Sequence, residues 1–170
     1  MGSINLQDIE IKGYYPGAVG RITELHAVYY HEHWGFDVTF ETQVGGELSE
    51  FVSRFDGNRD GLWVALRKGE FAGAIVIDGV EAFGQGARLR WFIVDPRYQG
   101  SGIGKNLIML ALDFCRQKEF PKVYLWTFKG LENARRLYEA AHFRLSEESQ
   151  IAQWGQTITE QKYELDMPEN

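Results

Sequence analysis

Trp91-Phe-Ile-Val-Asp-Pro-Arg-Tyr-Gln-Gly-Ser-Gly-Ile-Gly-Lys105 is the stretch that organises the rest of the chain. An apolar run ends at Val94, and Pro96 lacks the N–H needed to continue a sheet ladder. A glycine-rich loop then opens directly into a helical period, with Ile103, Leu107, Leu110, Ala111 and Phe114 on one face. A strand is thus expected to deliver the chain to a helix N-terminus, where free backbone N–H groups and the positive end of the helix dipole converge. Such an end attracts anions. Glycines at 100, 102 and 104 remove side chains that would hold a diphosphate away from those amides, and Lys105 adds a positive charge at the rim.

Three phosphate-binding patterns compete for this loop. A dinucleotide fingerprint requires Gly-x-Gly-x-x-Gly at the start of a parallel βαβ unit, and this loop reads Gly-x-Gly-x-Gly. A P-loop requires Gly-Lys followed by Ser or Thr, and Asn106 follows Lys105. The third pattern, Gln/Arg-x-x-Gly-x-Gly, is met by Gln99, Gly102 and Gly104.

Upstream of the loop, residues 8–12 alternate as a short strand, and Ile22, Leu25, Val28 and Tyr29 recur with helical period up to Trp34-Gly35. Phe40, Val44, Leu48, Phe51, Val52 and Phe55 form a second helical stripe, in which Gly45 and Gly46 each cost about 1 kcal/mol of helix propensity. Strand-like runs follow at Leu62–Arg67, Ala72–Ile77 and Leu89–Val94, the first two joined by a Lys68-Gly69 hairpin turn. Downstream come a strand at Val123–Phe128, a helical stripe through Leu131, Ala134, Leu137, Tyr138 and Ala141, and one or two closing strands that include 157–167. The order predicts an α/β (α+β) fold. Its mixed sheet has about six to seven strands, with about four helices on its two faces.

The chain has 170 residues, 44% of them apolar and 25% charged, which fits one globular domain over 1–170. Eleven Phe, eight Tyr and five Trp can bury more surface than a solvated chain needs. No apolar run approaches the roughly 20 residues that span a bilayer, and the N-terminal six residues lack a leader pattern. The single cysteine, Cys115, excludes an internal disulfide or a multi-thiolate metal site and fits a cytoplasmic location. A net charge of −6 argues against nucleic acid as the principal partner.

With both motifs in view, the sequence resembles the GNAT N-acetyltransferase superfamily, most sharply over residues 87–145. Asp95-Pro-Arg-Tyr-Gln-Gly-Ser-Gly-Ile-Gly104 is similar to that family's acetyl-CoA pyrophosphate loop. Ala134-Arg-Arg-Leu-Tyr138-Glu-Ala-Ala-His-Phe143 is similar to its later helix, with Leu131 and His142 where the family usually has Asn and Gly. The resemblance implies acetyl-CoA as acyl donor and a primary amine, of a small molecule, as acceptor. It also implies direct attack in a ternary complex without a metal. Backbone groups of Phe92, Ile93 and Val94 would pair with the pantetheine arm like an added strand. Gln99, Gly100, Ser101, Gly102, Ile103, Gly104 and Lys105 would hold the pyrophosphate. Tyr138 would protonate the departing thiolate, a role suited to a phenol of pKa about 10. A homodimer paired through sheet edges or terminal strands is an assembly open to such a fold. A non-catalytic acyl-CoA sensing module that serves a partner protein is the alternative function.

Residues 26–41 fall where this superfamily shapes its acceptor site. They are similar to the acetyltransferase half of bacterial proteins that join a MarR-type DNA-binding domain to a GNAT domain, and no DNA-binding part is expected within these 170 residues. Candidate acceptor residues are His26, Tyr30, Trp34 and Arg90, the last sharing one strand face with Arg88 as the two alternate with Leu89 and Trp91. Both arginines are suited to a carboxylate on the acceptor or to a surface ion pair. A general base is sought among His26, His33, Glu24, Glu32, Glu41 and Glu81. Cys115, mid-helix beside Phe114, is a poor acetyl carrier.

Overall fold

The computed structural model describes residues 6–169, so residues 1–5 of the stretch read for a leader lie outside it. The chain runs β1 (Ile9–Lys12), α1 (Ala18–Trp34), α2 (Val38–Ser53), β2 (Gly61–Arg67), β3 (Glu70–Asp78), β4 (Ala87–Val94), α3 (Ile103–Gln117), β5 (Lys122–Phe128), α4 (Glu132–Ala140), β6 (Arg144–Gln153) and β7 (Gln156–Asp166). All seven strands join one sheet in the order β1-β2-β3-β4-β5-β7-β6. The β4–β5 pair is parallel and the other pairings are antiparallel, giving the mixed sheet that the element order predicts.

Residues 72–78 of β3 are buried on both faces, which explains their unbroken apolar reading. One face is covered by α1 and α2, with Ile22, Leu48, Phe51, Val64 and Val76 in a common core. The other face carries α3 and α4 over Ile75, Ile77, Leu107, Ala111 and Leu125. Asp37 caps α2 by accepting the Thr39 N–H at 2.9 Å. Lys68 and Gly69 both adopt positive φ, 50° and 81°, as a two-residue type I′ hairpin requires.

Two irregularities position the site. First, β4 pairs with β5 only at Ala87–Val123 and Arg88–Tyr124, after which the two strands part. The edge of β4 that faces β5 is therefore unladdered beyond Arg88. Second, the register between β3 and β4 shifts so that Trp91 and Phe92 oppose Ile75 alone. Trp91 takes φ 45°, a left-handed conformation that a bulky residue rarely adopts. This bulge bends β4 at the start of the gap.

The sequence pattern does not reveal β6, because that strand is exposed almost throughout and has no apolar alternation. Its partner β7 holds it through a nine-rung ladder. Among the described residues, no helix is long and apolar enough to cross a membrane, and no group of three or more His, Cys, Asp or Glu is placed to hold a metal.

Candidate active site

The parting of β4 and β5 opens two cavities that meet at Tyr30, Phe92, Leu131 and Ala134. The larger, of about 650 Å³, runs along Phe92, Ile93 and Val94 to the loop residues Gln99, Gly100, Gly102, Gly104 and Lys105. The loop is set by a short 3-10 turn, Pro96–Tyr98. Asp95 caps that turn by accepting the Arg97 N–H at 2.9 Å and its guanidinium at 3.0 Å. Burial alone would raise the Asp95 pKa, but these Arg97 contacts hold its carboxyl below the usual range. Gln99 donates through Nε2 to the Val94 carbonyl at 3.3 Å, tying the loop back to the strand.

Gly102 is the N-cap of α3 at φ 90° and offers no side chain to the first-turn N–H groups, which stay available for a ligand. A Cβ on Gly104 would lie 3.0 Å from Leu137 and 3.3 Å from Phe92, so glycine lets α3 start against the cavity wall. Two loop residues stand apart from the cavity lining: Ser101 donates its hydroxyl to the Tyr98 carbonyl, and the Ile103 side chain is sunk in the core. At the rim, Lys105 and Arg136 have no ion-pair partner among the described residues. A glycine-lined helix start with two unneutralised cations suits a diphosphate. The unladdered β4 edge suits an extended amide-bearing chain. Both features fit the pantetheine diphosphate of a coenzyme A thioester.

The smaller cavity, of about 360 Å³, lies on the α1/α2 side of the gap. Tyr138 lines it at 5% exposure, with its ring 6.0 Å from Phe92. Burial, reinforced by the phenols of Tyr30 and Tyr163, pushes the Tyr138 pKa above the ordinary tyrosine value. The hydroxyl is therefore a proton donor at neutral pH.

His26 also lines this cavity, and its Nδ1 donates to the Ile22 carbonyl at 2.8 Å. The proton on Nδ1 leaves Nε2 bare in the neutral ring. Burial lowers the His26 pKa to about 4, although the bond to Ile22 favours the charged form. Tyr30 lines both cavities, whereas Trp34 and His33 line the larger one. Arg90 reaches the smaller cavity with its charge engaged, by Glu47 at 2.5 Å and by Asp78 at 3.5 Å. None of Glu24, Glu32, Glu41 and Glu81 lines either cavity. The carboxylates that do line the smaller one are Glu47 and Glu160. Cys115 is fully buried and its thiol is pushed up to about 12, so it is no nucleophile.

Several lining residues are not evident from the sequence. Leu131, which precedes α4, and Asn133, in its first turn, both reach the larger cavity. Gln153, Trp154 and Glu160 come from the β6–β7 hairpin, which crosses to the α1/α2 side only once the sheet is assembled. Trp154 donates Nε1–H to Gln43 at 2.9 Å, fixing the hairpin against α2.

The family model described as "Acetyltransferase (GNAT) family" matches residues 20–143, a span that contains both cavity-forming motifs. No curated protein matches the sequence. Solved structures share the fold at low identity. An acetyltransferase of the GNAT family from Staphylococcus aureus superposes with TM-score 0.76 at 17% identity, covering 93% of this chain and 98% of its own. yncA from Salmonella typhimurium, solved with its cofactor acetyl-CoA, gives 0.75 at 15% identity over 96% of each chain. A ribosomal-protein-alanine N-acetyltransferase from Brucella melitensis gives 0.73 at 14% identity, covering 93% of this chain and 99% of its own.

Proposed function

The chain belongs to the acetyltransferase (GNAT) family, and from that premise we propose that it transfers an acetyl group from acetyl-CoA to the primary amine of a small molecule. The observation that carries this reading is the parting of β4 from β5 beyond Arg88, with the uncapped start of α3 at its open end and a second cavity across it. The donor occupies the larger cavity. Phe92, Ile93 and Val94 ladder with its pantetheine arm, residues 99–105 receive the diphosphate on backbone N–H groups, and Lys105 and Arg136 neutralise its charge. The acceptor occupies the smaller cavity, whose volume of about 360 Å³ suits a small molecule.

In the reaction, the neutral amine nitrogen attacks the thioester carbonyl carbon, so a C–N bond forms and the C–S bond breaks. The ammonium substrate must first lose one proton, which passes by way of water to Glu160 or directly to solvent. A second N–H proton leaves as the tetrahedral adduct collapses. Tyr138 gives its phenolic proton to the departing thiolate and is reprotonated from that second proton. The sum is ammonium plus acetyl-CoA giving acetamide, free coenzyme A thiol and one proton released. His26 stays neutral throughout and offers Nε2 as a hydrogen-bond acceptor. Holding both substrates across one gap supplies the larger part of the acceleration, and the positioned acid adds to it.

The test is release of free thiol from acetyl-CoA on addition of primary amines. Amine-dependent release is expected. Tight acetyl-CoA binding with no thiol release for any amine would instead indicate a binding module.

A further inference from the structure

Arg88 is the last residue of β4 to pair with β5, so its Cα stands at the closed end of the gap. Its side chain lines the smaller cavity, and its Nε is buried without a hydrogen-bond partner among the described residues. The acidic groups nearby are already engaged. Asp78, opposite Arg88 in the β3–β4 register, is held by Arg54 at 2.6 Å and by Arg90 at 3.5 Å. Glu47 is taken by Arg90 at 2.5 Å. Arg88 makes no ion pair among the described residues.

A buried arginine donor with no acceptor is costly in a finished core and useful in a binding site, where a ligand anion completes it. The charge is felt locally: the Arg90 pKa is lowered first by burial and then by Arg88. Along the β5–β7 ladder, Glu160 is registered with Phe128 at the far end of β5, lines the same cavity, and makes no ion pair among the described residues. The rest of the lining mixes aromatic rings, among them Trp91, Trp126, Phe128 and Trp154, with polar side chains such as His26, Gln43, Thr127 and Gln153. The cavity thus presents an unengaged cation where β4 and β5 still pair and an unengaged anion where they have parted.

We propose that the acceptor is an amino-carboxylate, whose carboxylate is bound by Arg88 while its amine points toward Glu160 and Tyr138. This rests on the acetyl-transfer reading and adds the substrate class. Arg88 is then a specificity residue that touches substrate, distinct from Arg90, which holds the cavity wall through Glu47 and Asp78. A guanidinium gives a carboxylate two charge-assisted hydrogen bonds, and a neutral amide in its place gives neither the charge nor the fork.

The experiment compares matched acceptors that differ only in the carboxylate: L-phenylalanine with phenethylamine, para-aminomethylbenzoate with benzylamine, and gamma-aminobutyrate with propylamine. Each is assayed with acetyl-CoA and the full chain, as wild type and as Arg88→Gln. Acetyl-CoA titrations on the same samples confirm that donor binding is intact. The expected result is a kcat/KM at least about 10-fold higher for the carboxylate member of one or more pairs, a ratio that falls toward one in Arg88→Gln. A second measurement needs no variant: phenylacetate, which has the anion and ring but no amine, should inhibit wild-type turnover competitively against the amine.

Equal or better use of the amines without carboxylate overturns the proposal. So does a preference that survives in Arg88→Gln, or turnover of other primary amines with none of the three amino-carboxylates accepted. Failure of the wild type to bind acetyl-CoA, or binding with no thiol release for any amine, contradicts the acetyl-transfer reading itself, and the two failures are thereby distinguished.

Discussion

Tyr138 and Phe92 face each other with ring centroids 6.0 Å apart, one on α4 and the other on the free edge of β4. Phe92 lines both cavities and Tyr138 lines the smaller, so the pair stands where the donor and acceptor spaces meet. The phenol there is kept protonated by its burial. Tyr138→Phe removes the proton donor and leaves the ring. Turnover is expected to fall by about 10²–10⁴-fold, with the acetyl-CoA dissociation constant unchanged within about twofold. Equal losses in binding and turnover would assign Tyr138 to packing instead.

His142 occupies the turn after α4 at φ 73°, while the Phe143 N–H returns to the Tyr138 carbonyl at 3.0 Å. This is the helix-end position where glycine is favoured, because a Cβ is strained in that conformation. His142→Gly is expected to stabilise the chain by roughly 0.5–1 kcal/mol, the relief of strain outweighing the added chain entropy of the unfolded state. Thermal unfolding should shift up by about 1–4 °C. His142→Ala, which keeps the Cβ, should give no such gain, and equal behaviour of the two variants would contradict this account.

His26 makes stability depend on pH. Its pKa is about 4 in the folded chain against 6.5 as the ordinary value, so protonation favours the unfolded state. Its contribution is complete above about pH 6.5 and is lost as the pH falls toward 4, an effect of roughly 2–3 kcal/mol at pH 4.5. In His26→Gln, whose amide can also donate toward the Ile22 carbonyl, the fall in urea midpoint between pH 7 and pH 4.5 should be markedly smaller. The same fall in both proteins would mean that other groups cause it.

What the sequence revealed, and what it hid, follows the range of the interactions involved. The strand–loop–helix at 91–105 is local: proline, glycines and an apolar period determine it within a few turns of chain. The Tyr138 helix is likewise legible from its own stripe. By contrast, whether Arg90 or Arg88 carries a free charge depends on Glu47 from α2 and Asp78 from β3, and no spacing along the chain encodes that choice. The position of Trp34 at the larger cavity arises from its packing on Phe128, with rings 4.9 Å apart, which requires β5 to be in place. Glu160 enters the site by way of β7, the strand inserted between β5 and β6, and β6 itself lacks the alternation that marks a buried face.

The glycine-started helix and the unladdered β4 edge together form the proposed seat of the donor. Its most direct test is a calorimetric titration of acetyl-CoA into the wild-type protein and into Gly102→Val, whose β-branched side chain is incompatible with φ 90°. The wild type is expected to bind one molecule per chain, with affinity reduced at least about 100-fold in a variant whose circular dichroism shows it folded. A folded wild-type protein that takes up no acetyl-CoA, or a folded Gly102→Val that binds it equally well, would rule out this seat for the donor.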